Sequence, residues 1–270
     1  MAETLALYEI RPPTVLIKLN RPDRRNALSR GLITALAEAF ERAANESAAR
    51  CIILTGAGSV FCAGMDLAEL AEALDRQKSN PAATNPGQGS AIWEDPVRLA
   101  KLYDFIYRLP KPTIAAVNGA AVAGGAGLVT VCDLALAVPE ARFGYPEVRR
   151  GLVAAMVMPH LLRHVSERTA RYLLLTGELI DAAEACRTGL INEVVPAAQL
   201  LDRSLAIARA AAEGGPNALA TTKSLLARFS QQALSLEEAA QASAAPRLTQ
   251  ECQAGLTAFF EKRPAPWAPQ

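Results

Sequence analysis

Short apolar runs alternate with stretches of helical period along the first two thirds of the chain. Residues 3–10 and 14–19 predict two strands joined at Arg11-Pro12-Pro13, and Val15-Leu16-Ile17-Lys18-Leu19 is strongly β-forming. Asn20-Arg21-Pro22-Asp23 ends that run. Ser29 then has the place of an N-cap for a helix reaching about Ala44, with Leu32, Ile33, Leu36, Ala39 and Phe40 on one face. Cys51-Ile52-Ile53-Leu54-Thr55 predicts a buried strand that stops at Gly56-Ala57-Gly58-Ser59. After residues 60–67 a helical segment extends to about Asp75. Residues 77–90 contain Lys78-Ser79-Asn80-Pro81 and Asn85-Pro86-Gly87-Gln88-Gly89, which predict a long loop. Asp95-Pro96 opens the next predicted helix, through Arg108, with Leu99, Leu102, Phe105 and Ile106 as its apolar face.

A strand at 113–117 leads into the stretch Asn118-Gly119-Ala120-Ala121-Val122-Ala123-Gly124-Gly125-Ala126-Gly127-Leu128-Val129-Thr130-Val131-Cys132-Asp133, the second half of which has the look of a helix start. Strands at 134–138 and around 141–143 follow. Helices are predicted over 156–164, 166–175 and 181–187, then a brief strand over 191–195, and from Leu200 the chain reads as almost all helix. Strands alternating with helices at this spacing make an α/β chain with helical crossovers. No internal repeat stands out in the residues themselves.

The glycines after the 113–117 strand matter chemically. A strand that hands glycines to a helix N-terminus leaves backbone N–H groups free and converging, which suits an anion. That anion is either a bound phosphate or an oxygen that becomes negative only during a reaction. A dinucleotide fingerprint needs GxGxxG, and Gly125-Ala126-Gly127 is followed by Leu128-Val129-Thr130, without the third glycine. Gly56-Ala57-Gly58 fails in the same way, and no Walker lysine follows either stretch. Glycines that merely permit close helix packing are the competing structural reading.

Charge and composition narrow the classes. With 270 residues, 51% hydrophobic and a net charge of +1, the chain has the material for a large core and no basic block for nucleic acid or an anionic membrane. The five cysteines, Cys51, Cys62, Cys132, Cys186 and Cys252, form no CxxC pair and read as reduced thiols in a cytoplasmic protein. The start, MAETLALYEIRPP, lacks a signal-peptide pattern, and no apolar run is long enough to span a bilayer. His160 and His164 have the i, i+4 spacing of metal ligands, but no third ligand accompanies them, so no metal is expected.

Four segments in this order resemble the crotonase superfamily, the enoyl-CoA hydratase/isomerase family: LNRPDRRNALS (19–29), VFCAGMDL (60–67), the glycine stretch closing on Cys132-Asp133, and FGYPEVRRGL (143–152). A fifth, LTGELIDAAEACRTGLINEVV (175–195), is similar to the family's next helices and strand. The set covers about four-fifths of the chain and is specific only when taken together. From residue 147 onward the chain looks most like bacterial hydratases of the methylglutaconyl-CoA type. The resemblance implies an α/β crotonase (ClpP-like) fold, a repeated ββα superhelix over residues 1–198, with a C-terminal helical trimerisation region over 199–270. It also implies a homotrimer or dimer of trimers.

By the same resemblance the substrate is an acyl-CoA thioester, whose carbonyl sits between the backbone N–H groups of Met65 and Gly124. Coenzyme A enters as part of the substrate, and no separate cofactor is implied. Adding to the carbon chain beside a thioester, or taking a proton from it, makes an enolate whose oxygen two donors and a helix dipole stabilise more than the neutral carbonyl. Glu147, after Pro146, matches the family's catalytic glutamate. A carboxylate beside an apolar acyl pocket has its pKa raised, which suits a group that both takes and gives a proton, while Arg149 and Arg150 would oppose this if they point inwards. Arg24 and Arg25 match basic residues near the CoA phosphates, and Ala63, Asp66, Leu67, Gly125 and Pro146 fall in the substrate and CoA path. Lys262-Arg263 resembles a C-terminal basic pair that reaches a ligand. Trp93 and the 77–95 segment are either a cap on the acyl pocket or a surface insert.

One position departs from the family's pattern. Many of its hydratases carry a second glutamate three residues past the oxyanion-hole glycine, and here that position is Gly127. The nearest acid, Asp133, matches a structural Cys-Asp pair. Hydration needs a water activated at C3 and a proton delivered to C2, whereas one carboxylate suffices to move a double bond from C3 to C2. The reading favoured is hydration with Glu147 as base and then acid and a water-holder from elsewhere. Δ3-Δ2-enoyl-CoA isomerisation by Glu147 alone is the second reading. A crotonase-fold protein that holds acyl-CoA, or RNA, without turnover is the third, disfavoured by the presence of Glu147 and the near-neutral charge.

Overall fold

The computed structural model describes residues 4–79, 91–230 and 261–267, with the single positions 250, 254 and 258. β1 (Ala6–Arg11) and β2 (Thr14–Leu19) form an antiparallel hairpin across the predicted proline turn. Ser29 caps α1 (Arg30–Asn45), accepting the Leu32 N–H at 3.2 Å, and all five residues of its predicted apolar face are buried.

From there the chain is built as strand, strand, helix. β3 (Cys51–Gly56), β4 (Val60–Cys62) and α2 (Leu67–Ser79) make one such unit; β5 (Thr113–Val117), β6 (Ala120–Val122) and α4 (Gly124–Val131) make another. β7 (Leu134–Ala137) and β8 (Arg142–Gly144) begin a third, followed by a 3-10 helix (Pro146–Arg150) and α5 (Met158–His164). The first strand of each unit joins a six-stranded sheet of order β1-β2-β3-β5-β7-β10, closed by β10 (Glu193–Val194) and parallel beyond the hairpin, and the second joins a four-stranded sheet of order β4-β6-β8-β9, closed by β9 (Ile180–Asp181). The repeat therefore exists in the topology although the residues do not advertise it. Strands of three residues are too short to show a period of two.

Two helices differ from the sequence-based expectation. α3 (Ala91–Arg108) starts before Asp95-Pro96 and carries Pro96 inside it at the sixth position, where the ring forfeits one i→i−4 backbone bond. α2 continues to Ser79, so the predicted loop begins later, and its remainder, 80–90, lies outside the described residues, as does the Trp93 side chain. The face that α3 buries is Leu99, Leu102, Tyr103 and Ile106, while Phe105 is exposed. Tyr103 is four residues from Leu99 and three from Ile106, so it shares their stripe.

α6 (Glu167–Thr176) is capped by Ser166, and α7 (Ala182–Arg187) by Asp181 at the end of the two-residue β9 (Ile180–Asp181). After β10 (Glu193–Val194), α8 (Leu200–Ala212) packs on the six-stranded sheet, where Cys51 Sγ meets the Ala208 carbonyl at 3.2 Å. α9 (Pro216–Phe229) follows and leaves Leu226 and Phe229 exposed. Cys51, Cys62, Cys132 and Cys186 are all free thiols. Among the described residues no helix is long and apolar enough to cross a membrane.

Candidate active site

Two polar residues, buried Asn26 and half-buried Arg21, tie the loops that make the site. Asn26, fully buried, donates to the carbonyls of Ala57 (2.9 Å) and Val60 (2.7 Å) and accepts from the Arg21 N–H (2.9 Å). Arg21 in turn bonds Asp66 Oδ2 at 2.9 Å and the Ala27 carbonyl at 2.6 Å. Burial alone would raise the Asp66 pKa, but Arg21 and the backbone N–H of Ala68 outweigh it and hold it below the ordinary value. The loop 63–66 is thereby clamped to residues 25–28: Leu28 N–H donates to the Gly64 carbonyl at 2.8 Å, and Asp66 N–H to Leu28 at 3.2 Å. Met65 lies between, and among the described residues its N–H donates to nothing.

The second turn is more strained. Ala123, the residue before α4, has φ 54° and ψ −124°, a conformation that a Cβ disfavours. It is held there by its N–H bond to the Gly144 carbonyl at 2.8 Å. This turn places Gly124 at the first position of α4, where no intrahelical acceptor reaches its N–H and the positive end of the helix dipole lies. Gly64, at φ +90°, lets the two turns meet.

Both turns open on one cavity of about 310 Å³. Ala63, Met65, Leu67, Gly124, Pro146 and Glu147 all line it, together with α3 residues Leu99 and Tyr103 and with Val153, Met156 and Val157. The sequence-based candidates are thus largely brought together by three separate stretches of chain. Asp66 instead serves the clamp, and Gly125 does not line the cavity: a Cβ there would collide with the Cys62 carbonyl. Arg24 and Arg25 are exposed on and just after a 3-10 turn (Pro22–Arg24). Lys262 and Arg263 are exposed too, with Arg263 on Glu261 at 2.5 Å.

Glu147 sits on the 3-10 helix behind β8. Its Oε2 is buried and has no hydrogen-bond partner among the described residues. Burial raises its pKa above the ordinary carboxylate value; its own backbone N–H and Arg150 oppose this without cancelling it. Arg149 points away, donating to the Thr176 carbonyl at 3.0 Å, while Arg150 lines the cavity and reaches the Pro146 carbonyl at 3.3 Å. A half-buried carboxyl with a raised pKa and an uncommitted, buried oxygen is suited to accepting and returning a proton.

Gly127 does not face the cavity as an open notch. A Cβ there would collide with the Tyr103 hydroxyl and stand 2.7 Å from Tyr103 Cζ and from Val157 Cγ1. The Tyr103 side chain fills the space instead, with its hydroxyl donating to the Gly124 carbonyl at 2.6 Å. Sequence reasoning missed this residue, because the 99–106 stripe marks it as core and only the packing of α3 on α4 brings its hydroxyl to Gly124. His160 and His164 are engaged apart. Arg163 donates to His160 Nδ1 at 2.7 Å, and His164 Nε2 contacts the Thr130 carbonyl at 2.8 Å. Burial and then Arg163 push the His160 pKa down to about 4. No group of three metal-ligating side chains occurs among the described residues.

Known proteins share this arrangement of chain. The chain is 41% identical over 253 residues to a Thermus thermophilus protein provisionally named an enoyl-CoA hydratase, covering 92% of this chain and 95% of that one. It is 34% identical over 252 residues to the 2,3-dehydroadipyl-CoA hydratase of Escherichia coli, 92% of each chain being covered. A crystal structure of an enoyl-CoA hydratase/isomerase from Marinobacter aquaeolei superposes with a TM-score of 0.88 at 33% identity, over 98% of this chain and 99% of its own. The fold is accordingly the crotonase fold. The model of the family described as enoyl-CoA hydratase/isomerase matches residues 10–270, and the chain belongs to that family.

Proposed function

We propose that the protein catalyses the reversible hydration of a 2-enoyl-CoA thioester through an enolate. The observation that carries this reading is the unpartnered, buried Oε2 of Glu147 in the same cavity as the Met65 and Gly124 N–H groups. The thioester oxygen lies between those two donors. Glu147, ionised, takes a proton from water as the water oxygen bonds to C3; the electron pair of the double bond moves onto the thioester as enolate. Glu147, now protonated, delivers that proton to C2. The two donors act on charge that exists only past the ground state, and each such donor is worth about 3 kcal/mol of barrier.

Isomerisation of a 3-enoyl-CoA is the second reading, favoured by the absence of a carboxylate at Gly127. Two incubations separate them. Hydration lowers the conjugated thioester absorbance of crotonyl-CoA, and isomerisation raises that of a 3-enoyl-CoA; 3-methylglutaconyl-CoA belongs in the first panel. If no thioester of either panel changes and Glu147→Gln binds acyl-CoA as well as the parent, the protein is a binder and the enzymatic reading falls.

Several finer points complete the proposal. The 3′-phosphate and pyrophosphate of coenzyme A lie near Arg24 and Arg25, whose exposed guanidinium groups supply positive charge outside the cavity. The described helices beyond residue 199, α8 and α9, serve a homotrimer or a dimer of trimers, for which exposed Leu226 and Phe229 offer apolar surface. Free thiols at four cysteines accord with a reducing, cytoplasmic setting.

A further inference from the structure

Hydration requires that the water be held on two sides, and among the described residues only one carboxylate in the cavity is placed to do so. Among the polar side chains lining it, Asp95 is taken up by Arg30, and Arg150 is cationic and offers no acceptor. The remaining oxygen besides Glu147 is the Tyr103 hydroxyl. Its position is not incidental, because the phenol and any side chain at Gly127 exclude each other sterically. Where relatives of the resembled kind put a carboxylate, this chain puts a tyrosine from a different helix.

We propose that the Tyr103 hydroxyl is the second water-holding group of the hydratase site, standing in for the absent carboxylate at Gly127. The proposal rests on the hydratase reading above. The phenol donates its own proton to the Gly124 carbonyl, a bond of 2.6 Å that fixes which way its oxygen lone pairs point. With the donor so committed, the oxygen can only accept, and a water that gives one hydrogen to Glu147 gives its second to Tyr103. Tyr103 is only 1% exposed, and the ring of His160 packs edge-on against it with centroids 6.2 Å apart. Burial keeps the hydroxyl protonated across the working pH range. Tyr103 therefore exchanges no proton in the cycle: one water proton passes to Glu147 and on to C2, and the oxygen with its other hydrogen ends on C3.

The test compares a reaction that consumes water with one that does not, in the full-length parent and in Tyr103→Phe. The first is hydration of crotonyl-CoA; the second is exchange of the C2 protons of butyryl-CoA with deuterium oxide, which needs Glu147 and the oxyanion donors alone. Tyr103→Phe is expected to lower kcat for hydration about ten- to thirty-fold, the loss of one hydrogen bond in the transition state, with C2 exchange within about twofold of the parent. Equal losses in both reactions would mean that the hydroxyl merely supports Gly124, and unchanged hydration would mean that it does nothing; either result overturns the proposal. A parent that exchanges C2 protons but hydrates no thioester overturns the hydratase reading and this one with it. A parent that hydrates while Tyr103→Phe hydrates equally well overturns only the role of Tyr103. The ring is kept in Tyr103→Phe, and thermal unfolding of both proteins verifies that the cavity wall is intact.

Discussion

A Cβ on Gly64 would come within 3.2 Å of the Gly124 nitrogen and 2.9 Å of the Val122 carbonyl. The two turns that present the Met65 and Gly124 N–H groups are therefore in direct contact, and their separation depends on Gly64 having no side chain. Its φ of +90° adds a second reason, since an L-residue is strained there. Gly64→Ala should push the turns apart. We expect a fall of about 100-fold in kcat for crotonyl-CoA hydration, the scale of one lost oxyanion donor, with a smaller effect on KM. Steady-state kinetics on folded protein check this.

Glu147→Gln should abolish turnover yet stabilise the protein. The folded state raises the Glu147 pKa, so the proton is held more tightly folded than unfolded. The group's contribution to stability is thus fully present below the ordinary carboxylate pKa and is lost as pH rises through the folded value. Glutamine carries no charge to bury. At pH 8 the variant should exceed the parent by about 1 kcal/mol, the cost of one unmatched buried group, and the difference should shrink towards pH 4. Denaturant melts at the two pH values measure it.

Much of this was readable in the residues, and the omissions have two physical causes. Ser29 and Ser166 announced their helices because a cap is a local signal, fixed by one side chain and the N–H three residues on. Met65, Gly124 and Glu147 were readable because each lies in a distinctive local string. β4, β6 and β9 were not, since two or three residues cannot display a period. Tyr103 was hidden differently: its place in the stripe marked it as core, and only the tertiary meeting of α3 with α4 turns a core tyrosine into a lining hydroxyl. The six-stranded sheet likewise follows from β-branched runs, whereas the pairing of units across the second sheet does not.

Arg150→Met should move the acid limb of the hydration profile. Arg150 lowers the Glu147 pKa, opposing the larger effect of burial. Removing the guanidinium takes away stabilisation of the carboxylate, so the folded pKa rises further and the ionised base is lost at higher pH. His160 stays neutral down to about pH 4, so it adds no limb between pH 5 and 8. A kcat/KM profile of parent and variant should show one acid limb in each, displaced upwards in the variant.

Gly127→Ala should cost stability rather than restore a missing group. The added methyl meets the Tyr103 hydroxyl and Cζ and the Val157 side chain, all buried, so the core must shift. Overpacking of this kind costs about 1–3 kcal/mol. Pairing it with Tyr103→Ala removes most of the clash, and the double variant should lose less than the sum of the two single losses. A double-mutant cycle by chemical denaturation reads that coupling directly.

The position of Tyr103 depends in turn on how α3 is held. Arg30 grips Asp95 with two parallel bonds, Nε to Oδ1 at 2.8 Å and Nη2 to Oδ2 at 2.7 Å, joining the start of α1 to α3. Both side chains are about a quarter exposed, so the pair is partly screened. Arg30→Met keeps the stem but leaves Asp95 unpaired at the cavity wall, next to Pro96 and one turn before Leu99. A loss of about 1–2 kcal/mol in stability is expected. Because Tyr103 moves with that wall while Glu147 and the two N–H donors stay in place, kcat for hydration should fall as KM for acyl-CoA rises. An unchanged kcat would show that α3 positions the acyl chain alone.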